Sequence, residues 1–264
     1  MPESERQDLA TSSLWQQTWQ VKTQALLVAM GDLTLTIQRR PHEWQLRYAW
    51  QKQGALGDFR SEWVGEESLL DESAPTSRIA LDRMTADVTL LPRLADRPVV
   101  VRPISPLTLA GQSKITLYVS TPVWLEVVLS ERISEELPVQ QLSDTWMGGV
   151  TGNGELCYGS HTHARLDASQ LLNLPYRVLT PVEIHNKSSE SRKLERLSLP
   201  CPYLSVFSTR GLLATEPLTI TMDAEKSRGV VQIGAPQGSV KALTKPRKVT
   251  EKGMLISAWA NLFA

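Results

Sequence analysis

The chain has 264 residues, of which 41% are hydrophobic and 21% charged, so it is long and apolar enough to bury a sizeable core. Its 28 basic residues equal its 28 acidic residues, which argues against the broad basic face of a nucleic-acid-binding protein. Its longest apolar run, residues 25–30, falls far short of the roughly 18 residues of a membrane helix, and its acidic N-terminus lacks a secretory signal. We therefore expect a cytoplasmic protein without a transmembrane segment.

Alternating apolar residues predict strands along most of the chain. Residues 32–51 contain two alternating runs around a turn at 39–42, and we predict an antiparallel hairpin there. The same period-two pattern recurs at 114–120, 176–184 and 218–222. Prolines punctuate these runs, as is typical of a sandwich or barrel. The sequence thus predicts an all-β fold, an antiparallel β-sandwich of one extended or two fused β units.

Helices are expected to be short and few. Residues 130–137 and 167–174 could each form about two turns, the second capped by Asp167. The strand pattern breaks near 91–97, which suggests a boundary. The resulting predicted organisation is an N-terminal segment at 1–18, a first β unit at 19–95, a second β unit at 98–234, and a basic linker with an amphipathic tail at 235–264.

The last part of the chain, residues 241–264, differs from the rest. Five basic residues against one acidic residue give it a local net charge of +4. The central basic residues of this linker are Lys245, Arg247 and Lys248. On a helix, one apolar stripe would be formed by Leu255, Trp259, Leu262 and Phe263. We predict a flexible linker and a segment that docks on a protein partner, with a membrane-associated protein among the candidates. Packing onto the sandwich and contact with an anionic membrane surface are the alternatives.

The stretch 142–166 contains five of the fifteen glycines, two of the four histidines and one of the two cysteines. His161 and His163 would point to the same side of a strand, where they could bind one divalent metal ion. Cys157 and His185 are conceivable further ligands. The alternative is a pair of exposed or hydrogen-bonded strand histidines, and we expect no cofactor.

Residues 143–146, Ser-Asp-Thr-Trp, predict a tight corner. Asp144 would accept hydrogen bonds from nearby backbone amides, and Trp146 would close the end of the core. The glycines that follow would supply positive φ angles in a loop and hairpin turn. In the alternative interpretation, Asp144 and Trp146 line a ligand pocket beside the histidines.

The sequence offers little support for nucleophilic catalysis. Ser160 and His161 are neighbours and would face opposite sides of a strand, so they cannot form a relay. Cys157 could pair with His161 or His163, but no third member is recognisable. Cys201 lies between two prolines and is expected to be a small core residue. Two cysteines far apart in sequence fit a reducing compartment.

Several segments occur in an order that resembles a known family of archaea and bacteria, domain of unknown function 432. They are GDLTLTIQRRPHEWQL, VVVRPISPLTLAGQ, LYVSTPVWLEV, LSDTWMGG with ELCYGS, LTPVEIHNKS and LERLSLPCPYLSVFS. The resemblance covers about residues 19–222 and leaves the basic tail outside. It implies a single conserved unit, and it implies no activity, cofactor or catalytic residue.

We therefore predict a β-sandwich protein that is not an enzyme, an accessory or interaction protein docking through its C-terminal tail. It would be cytoplasmic, with a peripheral position at the membrane as an option. One alternative is a metal-binding β protein, conceivably an enzyme, centred on His161 and His163. Another is a small-ligand or sugar-binding module that uses exposed aromatic residues such as Trp44, Trp50 or Trp146.

Overall fold

A computed structural model describes residues 14–51, 59–66, 70–71, 73–131, 133–148, 154–209, 211–222, 228–236, 238, 240–249 and 256–263. Strands make up most of these residues, and the predicted all-β fold is confirmed. The strands in chain order are β1 (Thr18–Gln20), β2 (Ala25–Met30), β3 (Leu33–Arg39), β4 (Glu43–Trp50), β5 (Arg60–Val64), β6 (Thr76–Ala80), β7 (Asp87–Arg93), β8 (Val99–Pro103), β9 (Leu107–Leu109), β10 (Lys114–Pro122), β11 (Trp124–Ser130), β12 (Ile133–Pro138), β13 (Ser143–Met147), β14 (Glu155–Ala164), β15 (Arg177–Asn186), β16 (Arg192–Leu199), β17 (Val206–Thr209), β18 (Leu212–Ala214), β19 (Leu218–Met222), β20 (Arg228–Ile233), β21 (Ala242–Thr244) and β22 (Ile256–Phe263).

The predicted hairpin at residues 32–51 is confirmed. Strands β3 and β4 pair antiparallel, with Leu33 opposite Trp50 and Ile37 opposite Leu46. Leu33, Ile37 and Leu46 are fully buried, as the alternation of apolar and polar residues requires. The alternating runs at 114–120, 176–184 and 218–222 form β10, β15 and β19.

The helix predictions had different outcomes. The helix expected at 130–137 is wrong, because Ile133–Pro138 form β12, which pairs antiparallel with β11. A long cross-strand ladder outweighs the weak helix propensity of one short segment. In 167–174 a 3-10 helix forms at Ala168–Gln170, and the Asp167 side chain accepts a hydrogen bond from the Ser169 amide at 2.9 Å. A second 3-10 helix spans Cys201–Tyr203.

The chain separates into two compact units. The first comprises Met1–Pro92 and Val123–Gln141, so residues 123–141 return to it after the boundary expected near 91–97. It contains two antiparallel sheets, ordered β1-β7-β11-β12 and β5-β2-β3-β4-β6. The Trp50 indole of one sheet donates to the Pro138 carbonyl of the other at 2.7 Å. The fully buried side chains of this sandwich include Leu26, Met30, Leu35, Trp44, Leu90, Leu125 and Leu129.

The second unit comprises Arg93–Pro122 and Leu142–Ala264. It holds one sheet with the strand order β13-β14-β8-β16-β22-β20-β19-β15-β18-β17-β21, while β9 pairs with β16 and β10 pairs with β15 beside this path. Most pairs are antiparallel, but β14 runs parallel to β8, and β15 runs parallel to β18 and β19. Its buried core includes Val99, Val101, Leu117, Val119, Val178, Val182, Ile184, Leu197 and Ile220.

The C-terminal segment is a strand that connects β16 and β20 in this sheet. Residues 260–263 of β22 pair with β16, Ala260 opposite Leu197, and residues 256–259 pair with β20, Ser257 opposite Val230. The predicted docking helix is therefore wrong for Trp259, Leu262 and Phe263, and Leu255 lies outside the described residues. Pairing with β16 and β20 provides backbone hydrogen bonds along β22, whereas an isolated helix of about ten residues is marginal in water.

The basic linker is also held in place over residues 240–249, which contradicts the predicted flexibility. Strand β21 pairs with β17, and the next residue after it is the exposed Lys245. The Arg247 guanidinium donates to the Leu94 carbonyl at 2.8 Å, and the Lys248 amide donates to the Pro202 carbonyl at 2.8 Å. No helix in the described part of the chain is long and apolar enough to span a membrane.

Candidate functional site

A groove of about 800 Å³ lies on one face of the sheet in the second unit. Its floor is formed by β10 and β15, where Thr116 lies opposite Glu183 and Tyr118 lies opposite Pro181. Side chains of directly opposed residues point to the same face of a sheet, so these four share the groove. Leu179, two positions before Pro181, extends the floor. Each of the five is partly exposed to solvent.

The opposite face of the same two strands is core. Leu117 pairs with Val182, and Ile115 pairs with Ile184. Leu117, Val182 and Ile184 are at most 1% exposed. Alternation along β10 and β15 thus sends one set of residues into the core and leaves the other set to line the groove.

Neighbouring strands build the walls. Ala214 of β18 is level with Leu179, and Phe207 of β17 is opposite Ala214, so the lining continues across three strands. Farther along the same edge of β15, Thr219 of β19 is level with Glu183. The remaining lining residues are Thr209, Leu212, Leu213, Thr215, Pro217, Leu218, Pro236 and Val240. The groove is therefore mainly apolar, with threonine hydroxyls and one carboxylate among its lining groups.

The carboxylate lies in a small charged cluster. Glu183 contacts the His185 imidazole, which is on the same side of β15, and the Lys114 ammonium lies 3.5 Å from Glu183 Oε2. The hydrogen bond with His185, supported by the charge of Lys114, lowers the pKa of Glu183 below its ordinary value. This end of the groove thus carries an ionised carboxylate beside two basic side chains.

A buried cation lies farther along the same side of β15, beyond Leu179. Arg177 donates from Nε to the Ser120 hydroxyl at 2.8 Å and from Nη2 to the Ser120 carbonyl at 2.6 Å. Burial lowers the pKa of Arg177 to about 10, so the guanidinium remains protonated at neutral pH. Leu179, Leu212 and Leu213 line both the groove and a small void of about 20 Å³ beside Arg177.

Sequence reasoning missed both the groove and Arg177. In a strand over RVLTPVEIHN, the odd-numbered residues from Arg177 to His185 all face one side, and this alternation could have been predicted from the sequence. It could not show that β10, β17, β18 and β19 come together around them, because these strands are distant along the chain.

The four residues predicted to bind a metal are dispersed. His161 and His163 are exposed on β14, whereas Cys157 of the same strand is fully buried against Val100 and Met147. His185 is on β15 with Glu183. Within the described residues, no three His, Cys, Asp or Glu side chains are arranged to hold a metal ion. A metal site at His161 and His163 stays a prediction that the geometry does not strengthen.

The Cys157 thiol is a poor nucleophile at neutral pH. Burial raises its pKa to about 12, and its Sγ donates to the Glu155 carbonyl at 3.6 Å rather than to an imidazole. Cys201 lies in the core as expected, and burial raises its thiol pKa to about 12 as well. Both thiols therefore stay protonated at neutral pH, which makes them poor nucleophiles.

Asp144 and Trp146 do not form the predicted corner. Both are in strand β13, which pairs with β14, and the Trp146 side chain is 49% exposed. Met147 is the buried residue here, because the neighbouring position faces the core. Asp144 pairs with Arg97 at 3.2 Å. Gly148 has the predicted positive φ of 143°, while residues 149–153 lie outside the described residues.

The other two tryptophans considered as ligand platforms are structural. Trp44 is fully buried in the first unit. Trp50 makes an edge contact with Tyr48, with ring centroids 5.2 Å apart, in addition to its bond to Pro138. Of the three candidates, Trp146 is the exposed one.

Comparison with known proteins places the chain in a family. No curated protein and no solved structure matches it. A family model described as "Protein of unknown function (DUF432)" matches residues 15–263. The resemblance seen in the sequence is thus confirmed, and it extends past residue 222 to include β22, which was expected to lie outside. The chain belongs to the DUF432 family.

Proposed function

We propose that this protein is a non-catalytic binding protein that holds an elongated amphipathic small molecule in the groove of its second unit. The observation that carries the proposal is the groove itself, with its volume of about 800 Å³ and mainly apolar lining. Pockets that take small ligands typically have volumes of about 300–1,000 Å³, with a few polar groups that orient the ligand.

The lining indicates the chemistry of the ligand. Tyr118, Leu179, Pro181 and Phe207 offer an apolar surface for a hydrocarbon or aromatic body. At the charged cluster, Glu183 accepts and Lys114 donates, so a polar end group of the ligand would lie there. The ligand is therefore expected to have an apolar body with a hydrogen-bonding group at one end.

The chemistry of the polar groups supports binding rather than catalysis. Glu183 is engaged by His185 and Lys114, which lowers its pKa and its basicity. The two thiols have raised pKa values of about 12 and are buried. These groups would make weak general bases or nucleophiles at neutral pH.

An accessory role would operate through the groove and not through the C-terminal tail. The residues expected to dock are paired within the sheet as β22, so neither a partner-binding helix nor a membrane contact is proposed for them. A cytoplasmic location is part of the proposal. It is supported by the free, buried thiols of Cys157 and Cys201.

The experiment is a titration with the amphipathic fluorophore 1-anilinonaphthalene-8-sulfonate. Ala214→Phe fills the groove, and Leu212→Glu places a charge on its apolar wall. Both variants are expected to lose most of the fluorescence enhancement shown by the wild type. Ile104→Glu is the matched control, because Ile104 is 63% exposed and does not line the groove. Equal enhancement in all four proteins would contradict the proposed site.

A further inference from the structure

A second surface, separate from the groove, is built around Trp146 on strands β13 and β14. Trp146 lies opposite Leu156, and Asp144 lies opposite Tyr158, so the four side chains share one face. Trp146 is 49% exposed and Leu156 is 46% exposed. Strand β13 ends the strand order of its sheet. We call Asp144, Trp146, Leu156, Tyr158 and the adjoining Arg97 the Trp146 face.

The Trp146 indole packs against the backbone on one side. A Cβ atom added to Gly154 would lie 2.4–2.5 Å from Trp146 Cε2, Cζ2 and Nε1, so the ring rests directly against the Gly154 backbone. A side chain at position 154 would displace the ring, which accounts for a glycine there. One side of the indole is thus supported, while about half of the side chain stays open to solvent.

A fixed set of donors and acceptors lies beside the ring. Arg97 Nη1 donates to Asp144 Oδ1 at 3.2 Å, and the guanidinium also lies 5.2 Å from the centre of the Tyr158 ring. The Tyr158 hydroxyl donates to Asp96 Oδ1 at 3.0 Å. These mutual contacts orient a guanidinium and two carboxylates, all of which are partly exposed at the surface.

We infer that the Trp146 face binds carbohydrate, with the ring of a pyranose stacked on the indole. One face of a pyranose presents C–H groups that pack on an aromatic ring, while its hydroxyls both donate and accept hydrogen bonds at the ring edge. Asp144 accepts and Arg97 donates, which matches a pair of neighbouring hydroxyls. Asp144 and Trp146 are two positions apart on one strand, about 7 Å between their Cα atoms, so one sugar can contact both.

The test is native affinity electrophoresis in gels that contain hydroxyethylcellulose, laminarin or xylan. The wild type is expected to be retarded by at least one polysaccharide, and Trp146→Ala to bind it about tenfold more weakly. Trp146→Phe keeps an aromatic face and should retain part of the retardation. Asp144→Asn keeps the shape but loses the charge that holds Arg97, and it should weaken binding as well.

Two controls make the result decisive. Trp63→Ala removes another exposed tryptophan, 42% exposed in the first unit, and should be retarded like the wild type. Ala214→Phe, which fills the groove, should also bind polysaccharide normally. A failure of the groove proposal can therefore be distinguished from a failure of the carbohydrate inference. The inference is overturned if none of the three polysaccharides retards the wild type. It is equally overturned if Trp146→Ala and Trp63→Ala are retarded alike. That result would mean that Trp146 does not bind the polysaccharide and would leave β13 as an edge for an extended peptide.

Discussion

Arg177 Nη2 lies 2.9 Å from Thr162 Oγ1, and the same hydroxyl donates to the Ser120 carbonyl at 2.7 Å. Arg177 is in β15, Thr162 in β14 and Ser120 in β10. One guanidinium therefore links three strands at a point next to the groove, and β10 is distant from the other two along the chain. Hydrogen bonds to a charged group in a buried site are stronger than neutral ones.

Replacing Arg177 by alanine should destabilise the protein by about 2–4 kcal/mol, because it leaves a void and removes the hydrogen bonds that Arg177 donates to Ser120 and Thr162. Urea unfolding followed by circular dichroism measures the change in the free energy of unfolding. Arg102→Ala, at an exposed position of β8, is the control and should change it by about 0.5 kcal/mol or less. Similar losses in the two variants would show that the linkage contributes nothing.

Gly111→Ala should be strongly destabilising, by about 3 kcal/mol or more, because the new Cβ would lie 2.1 Å from the Ser189 carbonyl oxygen. That neighbour is backbone, so it cannot turn aside as a flexible side chain would. Gly238→Ala is the matched control. Its φ of +81° is unfavourable for alanine, but the surrounding space is open, and a loss of about 1 kcal/mol is expected. Thermal unfolding of both variants checks the order, which would be contradicted by a larger loss at position 238.

Removal of residues 256–264 should abolish cooperative folding of the second unit. The deletion takes away β22 and exposes the edges of both β16 and β20, whose backbone groups then lack partners. The substitution Ala260→Pro should cause a milder loss, since proline cannot donate to the ladder opposite Leu197. Limited proteolysis and urea unfolding report both effects. A truncated protein as stable as the full chain would favour a dispensable tail.

Stability should fall as the pH rises above about 9, partly because of Cys157 and Cys201. Burial raises each thiol pKa from 9.0 to about 12. Between those values the unfolded chain loses thiol protons that the folded state keeps, so unfolding becomes easier. The upper limit is about 1.4 kcal/mol per thiol for each pH unit in that window.

The measurement compares urea unfolding at about pH 8 and about pH 10. The double variant Cys157→Ala, Cys201→Ala should show a smaller alkaline loss than the wild type, whatever its stability at neutral pH. An identical loss in both proteins would mean that other groups, such as Tyr158 with its raised pKa, account for it.

The sequence by itself determined which segments extend and which of their sides is apolar. Leu33 to Ile37 and Trp44 to Trp50 predicted a hairpin, because alternation and a turn are local properties of about twenty residues. The family resemblance was likewise readable from short motifs. The N-cap role of Asp167 followed from its own position in the chain.

The tertiary structure alone decided which strands meet. The apolar pattern of residues 256–263 predicted an amphipathic helix. These residues instead form β22, because the backbones of β16 and β20 provide hydrogen-bond partners for a strand. The sequence predicted that Trp146 closes the end of the core. The register of β13 on β14 instead places Trp146 at the surface and Met147 in the core. The groove needs β10, β15, β17, β18 and β19 side by side. Pairing between distant strands depends on complementary edges and a shared core, and neither is encoded in a local pattern.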